Sequence, residues 1–262
     1  MSRTFDRVAG RTFVVAAMLL VGMPSAAADR LAADEVRAAV AASKGRVDLS
    51  GKDMRGTDLA GLDLSGANLS GANLSGANLH GVKLVGTDLT GVDLSRANLT
   101  FAWIMRANFT RARLRGATLQ TVVTSTGMNN TPDQSATFAD ADLSDATITV
   151  NFSFDDLRRA RFVRAHMSVD MKNQSMGLLR TAFESSRLDR ADFTGAGLGH
   201  VTFRFAKLSH ARFVGADLTN ADFAGADLTG VDFTGAKMHD TNFEGATLTG
   251  ATGLAPTKGS AK

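Results

Sequence analysis

Apolar residues recur at every fifth position of this chain. From Val47 the series runs Leu49, Met54, Leu59, Leu64, Leu69, Leu74, Leu79, Leu84, Leu89, Leu94, Leu99, Ile104, Phe109, Leu114 and Leu119, fifteen centres without a break. A helix repeats at about 3.6 residues and a strand at about 2, so neither accounts for a sustained period of five. Around each centre stand a small residue two before, Asp or Asn one before, Ser or Thr one after and Gly two after, as in Ala67-Asn68-Leu69-Ser70-Gly71. A short unit repeated at fixed length is the signature of a solenoid, in which each unit packs only on its neighbours.

These residues resemble the pentapeptide repeat family, whose unit reads Ala-(Asp/Asn)-Leu-X-X, over residues 47–253. The resemblance implies an all-β fold, a right-handed quadrilateral β-helix with one pentad per side and four per coil. Paired coils about 4.8 Å apart would give about ten coils and a rod on the order of 50 Å long, with no hollow interior. The sequence offers a test of four-sidedness, because residues twenty apart should then be stacked. From Phe183 the centres alternate Phe with an aliphatic residue through Leu248, which predicts two opposite Phe stacks. Outward charges share the offset: Asp192, Arg212 and Asp232 form one ladder, Lys207 faces Asp227, and Asp217 faces Lys237.

The order breaks in the middle. After Leu119 the stretch 121–134 has no apolar centre at the expected steps and contains Pro132, which predicts a loop projecting from the column. Pentads resume at Phe138, Leu143 and Ile148, step by four to Phe152, continue through Leu157, Phe162 and Met167, and lapse again before Phe183. The expected organisation is a first regular block over 47–119, an irregular region over 120–182 and a second regular block over 183–253.

The ends carry different signals. Arg3, Arg7 and Arg11 precede an apolar run over 12–23, and Pro24-Ser25-Ala26-Ala27-Ala28 supplies small residues, which together predict a secretory signal over 1–28 cleaved after Ala28. The run is too short to span a bilayer, so no stable membrane span is expected after cleavage. Periplasmic or extracellular residence follows as an expectation. Residues 29–46 are Ala-rich with Val36 and Val40 at helical spacing, which predicts a short helix capping the N-terminal end of the column. The C-terminus offers only a polar tail over 254–262, and an uncapped solenoid edge invites self-association. Members of the family often pair end to end, so the resemblance implies a homodimer through Phe243, Leu248 and Leu254.

Composition removes most chemistry. There is no Cys, hence no disulfide, thiolate metal site or thiol nucleophile. The five His residues fall at different outward positions, with His200 and His210 on opposite sides, and the aspartates recur because the repeat places them. No catalytic, cofactor or metal residues are predicted, and no cofactor.

Two features remain as candidates. Phe101, Trp103 and Met105 occupy outward positions that elsewhere hold Gly, Asp or Asn, and Ser or Thr; either the neighbouring irregular segment covers them or they form a partner-binding patch. Arg106, Arg111, Arg113 and Arg115 lie in a stretch, 95–132, without an acid, which would make a basic waist.

Three functions follow as expectations. The first is a non-enzymatic scaffold of the bacterial envelope that binds an unidentified protein partner. The second, implied by the resemblance because some members act so, is gyrase protection against quinolones by DNA mimicry. Export opposes it, as does charge: the net +3 falls to +1 when three Arg and Asp6 leave with residues 1–28. Nucleic-acid binding is likewise not expected of so weak a field. The third is a ligand-binding or enzymatic role of the central insertion, which has no motif behind it.

Overall fold

Five backbone N–H groups per pentad need five acceptors, and the unit Ala67-Asn68-Leu69-Ser70-Gly71 supplies them all. Asn68 donates down the column to Val47 O at 3.0 Å, Leu69 donates up it to Asp88 O at 2.7 Å, and Gly71 donates to Thr90 O at 2.8 Å. Ala67 turns back onto Leu64 O at 3.0 Å. Ser70, at the corner, donates to Asn68 Oδ1 at 3.1 Å, which is why Asp or Asn stands at that position. Gly71 has φ +65°, and the same position has positive φ at corner after corner. That left-handed corner selects glycine, which pays no Cβ clash there.

The structure, a computed structural model, describes residues 30–43, 46–127, 130–168 and 180–254. The secretory signal expected over 1–28 and the tail beyond Leu254 lie outside the described residues. Parallel bridges join residues twenty apart on four sides: Asp48 to Asn68 on the first, Asp53 to Asn73 on the second, Asp58 to Asn78 on the third and Asp63 to Lys83 on the fourth. The first side continues through Asp88, Asn108, Thr137, Asp156, Arg187, Lys207 and Asp227 to Thr247, ten rungs and so ten coils. Two rungs of the third side widen into the short parallel strands β1 (Thr118–Gln120) and β2 (Thr147–Thr149). The charge ladders lie as the sequence predicts, with Asp192, Arg212 and Asp232 in line and Asp217 against Lys237.

The centres fill the axis. Phe183, Phe203 and Phe223 stack on the fourth side while Phe193, Phe213 and Phe233 stack on the second, all buried. Phe193 and Phe213 lie 4.8 Å apart and nearly parallel, and Phe203 meets Phe213 edge-on at 5.6 Å and 88°. Alternating Phe with Leu lets the rings interlock across a narrow column, in the offset and edge-to-face arrangements that aromatic quadrupoles prefer.

Where the register shifts, side chains repair the backbone. Contrary to the sequence reading, the ladder does not end at Leu119: Val123 pairs with Trp103, and buried Thr124 takes the inward place where an apolar centre would stand. Its Oγ1 donates to Asn130 Oδ1 at 3.0 Å, while Asn130 Nδ2 caps the Asn151 carbonyl at 2.8 Å. The projecting segment therefore begins only after Thr124, includes a 3₁₀ turn (Pro132–Gln134), and rejoins the column at Ala136. In a regular unit the N–H of the small residue donates to the preceding centre. Ala136 has no such centre, and the Asp155 carboxyl accepts its N–H instead, at 2.7 Å. A second insertion separates His166 from Ala182, the next rung of the column.

The two ends differ. Helix α1 (Ala33–Ala42) buries Val36 against the first coil and packs Val40 beside it. Leu31 N–H donates to Asp53 O at 2.8 Å and Arg37 Nη2 to Asp58 O at 3.0 Å, closing two carbonyls of the exposed edge. At the other end Gly253 holds a centre position with φ +74°, where a Cβ would strike the Thr234 backbone nitrogen. That turn brings Leu254 partly over the core, yet Leu248 stays exposed. Among the described residues the N–H groups of Met238, Phe243 and Leu248 have no backbone acceptor.

Replacing Phe213 with Ala should cost about 3–5 kcal/mol, as for other buried Phe truncations, whereas Asp222→Ala should change stability by well under half of that. Chemical denaturation measures both, and equal losses would refute the inward assignment of the centres.

Asp155 gives a pH signature. Burial of its carboxyl raises the pKa well above the ordinary value, with neighbouring Asp156 adding to the rise and the Ala136 hydrogen bond opposing it. Oδ2 has no partner. The folded chain holds this proton more tightly than the unfolded one, so the stabilisation is complete below about pH 3.9 and is lost as pH rises through the raised value. Surface carboxylates such as Asp217 and Asp232 act oppositely, because Thr219 and Thr234 hydroxyls lower their pKa. Asp155→Asn keeps an acceptor for Ala136 and cannot ionise, so it should melt above the natural chain at about neutral pH and converge with it on acidification. Asp155→Ala, which orphans that N–H, should cost about 1–3 kcal/mol.

Candidate interaction surface

A filled column leaves its chemistry outside. Buried polar side chains are few, and among the described residues no group of His, Asp and Glu is arranged to hold a metal ion. No described helix is long and apolar enough to cross a membrane. A shallow depression of about 680 Å³ lies at the corner between the second and third sides, lined by Ser75, Ser95, Arg96, Arg115 and Asp145. Arg115 and Arg164 already converge on Asp145, at 3.0 and 2.8 Å.

The predicted patch divides. Phe101 and Trp103 are solvent-exposed, 47% and 38%, but Met105 is buried at 5%. The foot of the first insertion closes over that corner, where Gln134 O accepts the Arg106 N–H at 3.0 Å. Met105 is thus covered at the corner where the first insertion rejoins the column, and the two rings stay open to solvent. Nor do the arginines form one cluster. Arg113 points out from the second side and pairs with Asp93 at 3.1 Å, and Arg115 beside it pairs with Asp145. Arg111 occupies the left-handed corner between first and second sides, while Arg106 occupies the one between fourth and first. The basic waist is a belt around the column, partly neutralised on its second side.

One side stands out instead. The fourth side runs Asp63, Lys83, Trp103 and Val123, then Asn151, Ala182, Thr202, Asp222 and Asn242. Its edges carry the other exposed rings: Phe101 at the corner with the third side, Phe154 and Phe205 at the corner with the first. Every exposed Phe or Trp among the described residues is therefore on this side or at its rim. All three phenylalanines sit in the left-handed corner position, with φ 59°, 68° and 57°. Each spends on the order of 1 kcal/mol that glycine would avoid. Phe205 is 60% exposed, with Arg204 over its ring at 5.7 Å. Both insertions open here too, one between Val123 and Thr137, the other between His166 and Ala182. Phe154 and Phe205 escaped the sequence reading, although each stands two residues after a centre, where the repeat calls for glycine.

The proposed dimer end is only half open. Phe243 and Leu254 are partly buried against the core and Leu248 is exposed.

Comparison with known proteins places the repeat in a family. The Pentapeptide repeats profile matches eight copies, within residues 46–120 and 186–250. No curated protein matches the sequence. Among solved structures, HetL, a pentapeptide repeat protein involved in heterocyst differentiation regulation in the cyanobacterium Nostoc sp. strain PCC 7120, is 24% identical, with 85% of this chain and 97% of that chain covered and a TM-score of 0.40. A pentapeptide repeat protein of the Arabidopsis thaliana thylakoid lumen is 30% identical over 46% of this chain and 70% of its own, with a TM-score of 0.30. QnrB1, a plasmid-mediated fluoroquinolone resistance protein, is 16% identical over 74% of this chain and 83% of its own, with a TM-score of 0.34. With the five-residue period, the four-sided ladder and a profile match over more than half its length, this chain belongs to the pentapeptide repeat family.

Proposed function

We propose that this protein is a non-enzymatic scaffold of the bacterial envelope, exported by its N-terminal signal, whose fourth side docks a protein partner. The observation that carries the reading is the gathering of exposed rings on one side, three of them at corners whose backbone disfavours any side chain. Conformational strain of that kind is retained where a surface is used. The coil is right-handed in this reading, as parallel crossover connections almost always are. DNA mimicry needs a continuous acidic surface, and here acids alternate with bases, as in Asp192, Arg212 and Asp232. The C-terminal end serves a second contact, pairing two copies through Phe243, Leu248 and Leu254.

A photo-crosslinking residue placed at Trp103 or Phe205 in living cells should capture a discrete protein partner, while one at Asp88, on the first side, should not. Equal capture at all three positions would overturn the docking side. Mass-spectrometric sequencing of the envelope fraction should find a mature N-terminus at Asp29 or within one or two residues. An intact Met1 or Ser2 in a cytosolic pool would sink the exported reading. For the end contact, Leu248→Asp with Leu254→Asp should shift sedimentation from dimer to monomer, and a monomeric natural chain rejects it.

A further inference from the structure

The corner glycines change character within a single turn of the column. Nine consecutive corners from Gly51 to Gly91 are glycine, then come Arg96, Phe101, Arg106 and Arg111, and beyond Gly116 the corners mix glycine with other residues. All four replacements keep φ at 58–59°. The backbone is unchanged, so the gain must lie in what the side chains present. Three of the four are cations within 95–132, where the sequence has no acid.

On the fourth side two of these groups, Phe101 and Arg106, flank the exposed indole. Phe101 and Arg106 mark the two edges of the rung that carries Trp103, and Val123 is the rung above. Phe101 rests edge-on against His80, with centroids 5.3 Å apart at 77°, which holds the phenyl ring in a fixed attitude. Lys83, one rung below Trp103, is half exposed and shared with Asp63 at 3.6 Å. Arg96 and Arg106 form no ion pair among the described residues. The insertion contributes one exposed acid, Asp133, which is also unpaired. The surface is an apolar strip one rung wide with unneutralised guanidinium beside it.

We propose that this strip is the docking site for an acidic segment of a partner protein. An apolar side chain of the segment would seat against Phe101, Trp103 and Val123, and its carboxylates would meet Arg106. Guanidinium matches carboxylate bidentately, and aromatic residues beside arginine are the usual anchors of protein interfaces. Nucleic acid would need many more phosphate contacts than these cations offer. An anionic bilayer would meet the carboxylate of Asp88 on the adjoining first side of the same column. This inference rests on the fourth side being the docking side and adds the chemistry of its partner.

Trp103 is the single tryptophan and the chain has no tyrosine, so intrinsic fluorescence reports the site directly. The exported chain, residues 29–262, is titrated with synthetic peptides alternating Glu with Leu, Lys with Leu or Ser with Leu, and with phosphatidylglycerol vesicles. The Glu-Leu peptide should shift the Trp103 emission, bind at least about tenfold more tightly than the other two, and weaken as salt rises. Arg106→Glu should abolish that preference and transfer it to the Lys-Leu peptide, whereas Arg212→Glu, on the second side, should leave it unchanged. Arg106→Gly suits the left-handed corner, so it should fold at least as well as the natural chain and still lose about tenfold in Glu-Leu binding. Equal response to the three peptides, or response to the vesicles alone, overturns the acidic partner. If crosslinks at Trp103 persist in cells without a charge preference, the docking side stands and this inference falls. If crosslinking at Trp103 is no greater than at Asp88 while Glu-Leu binding and its charge reversal hold, the acidic site stands and the docking reading falls.

Discussion

The structure depends on the accounting of backbone donors in each pentad. Two N–H groups at the rung and one at the corner pair with neighbouring coils, one closes a turn, and the last is held by the Asp or Asn side chain. No residue can be added or removed without orphaning a group, and an orphaned buried amide costs about as much as a lost hydrogen bond. The uniform length of five follows from that constraint, and so does the left-handed corner that brings the chain round to the next side. The apolar centres then have nowhere to point but the axis.

The same constraint explains the middle of the chain. Each departure from five leaves groups unpaired, and a particular side chain takes them up. Asn130 joins Thr124 to the Asn151 carbonyl, Asp155 takes the amide of Ala136, and the Thr181 hydroxyl donates to Ile148 O at 3.1 Å. These residues are costly ones to bury, and Asp155 keeps one oxygen without a partner. The column tolerates them because they let insertions leave and rejoin it without losing the ladders on either side. Both insertions do so at the borders of the fourth side, which concentrates irregular surface there.

A corner is also the place where a side chain costs backbone energy and gains exposure. Glycine is the neutral choice there, and an arginine or phenylalanine in its place costs on the order of 1 kcal/mol. Such residues encircle the column at the third coil, but only on the fourth side do they lie beside an exposed indole. The rest of the surface carries solvated ladders in which Asp and Asn are interleaved with Arg and Lys over most of the column. Exposed ion pairs of that kind contribute about 0–1 kcal/mol each and mainly fix register.

Much of this was legible in the sequence. The period of five named the inward residues, the alternation of Phe with Leu from Phe183 required an even number of sides, and the twenty-residue offset of the charges matched four. These are local facts repeated many times, and repetition makes them readable without a partner in view. What the sequence could not decide was which residues meet across coils once the register had shifted. Val123 and Thr124 continue the ladder, although Thr124 reads as loop, because the hydrogen bond that keeps it inside comes from Asn130. Met105 reads as exposed and is covered, while Arg106 and Arg113 read as one cluster and face different sides. Phe154 and Phe205 lie fifty-one residues apart in sequence and share one corner column only because two coils, one of them lengthened, bring Ser185 and then Phe205 above Phe154. Sequence determines a side chain's place within its own pentad, since the backbone bonds there are local. Its neighbours on the adjacent coils depend on the length of every insertion between them, and that only the folded column sums.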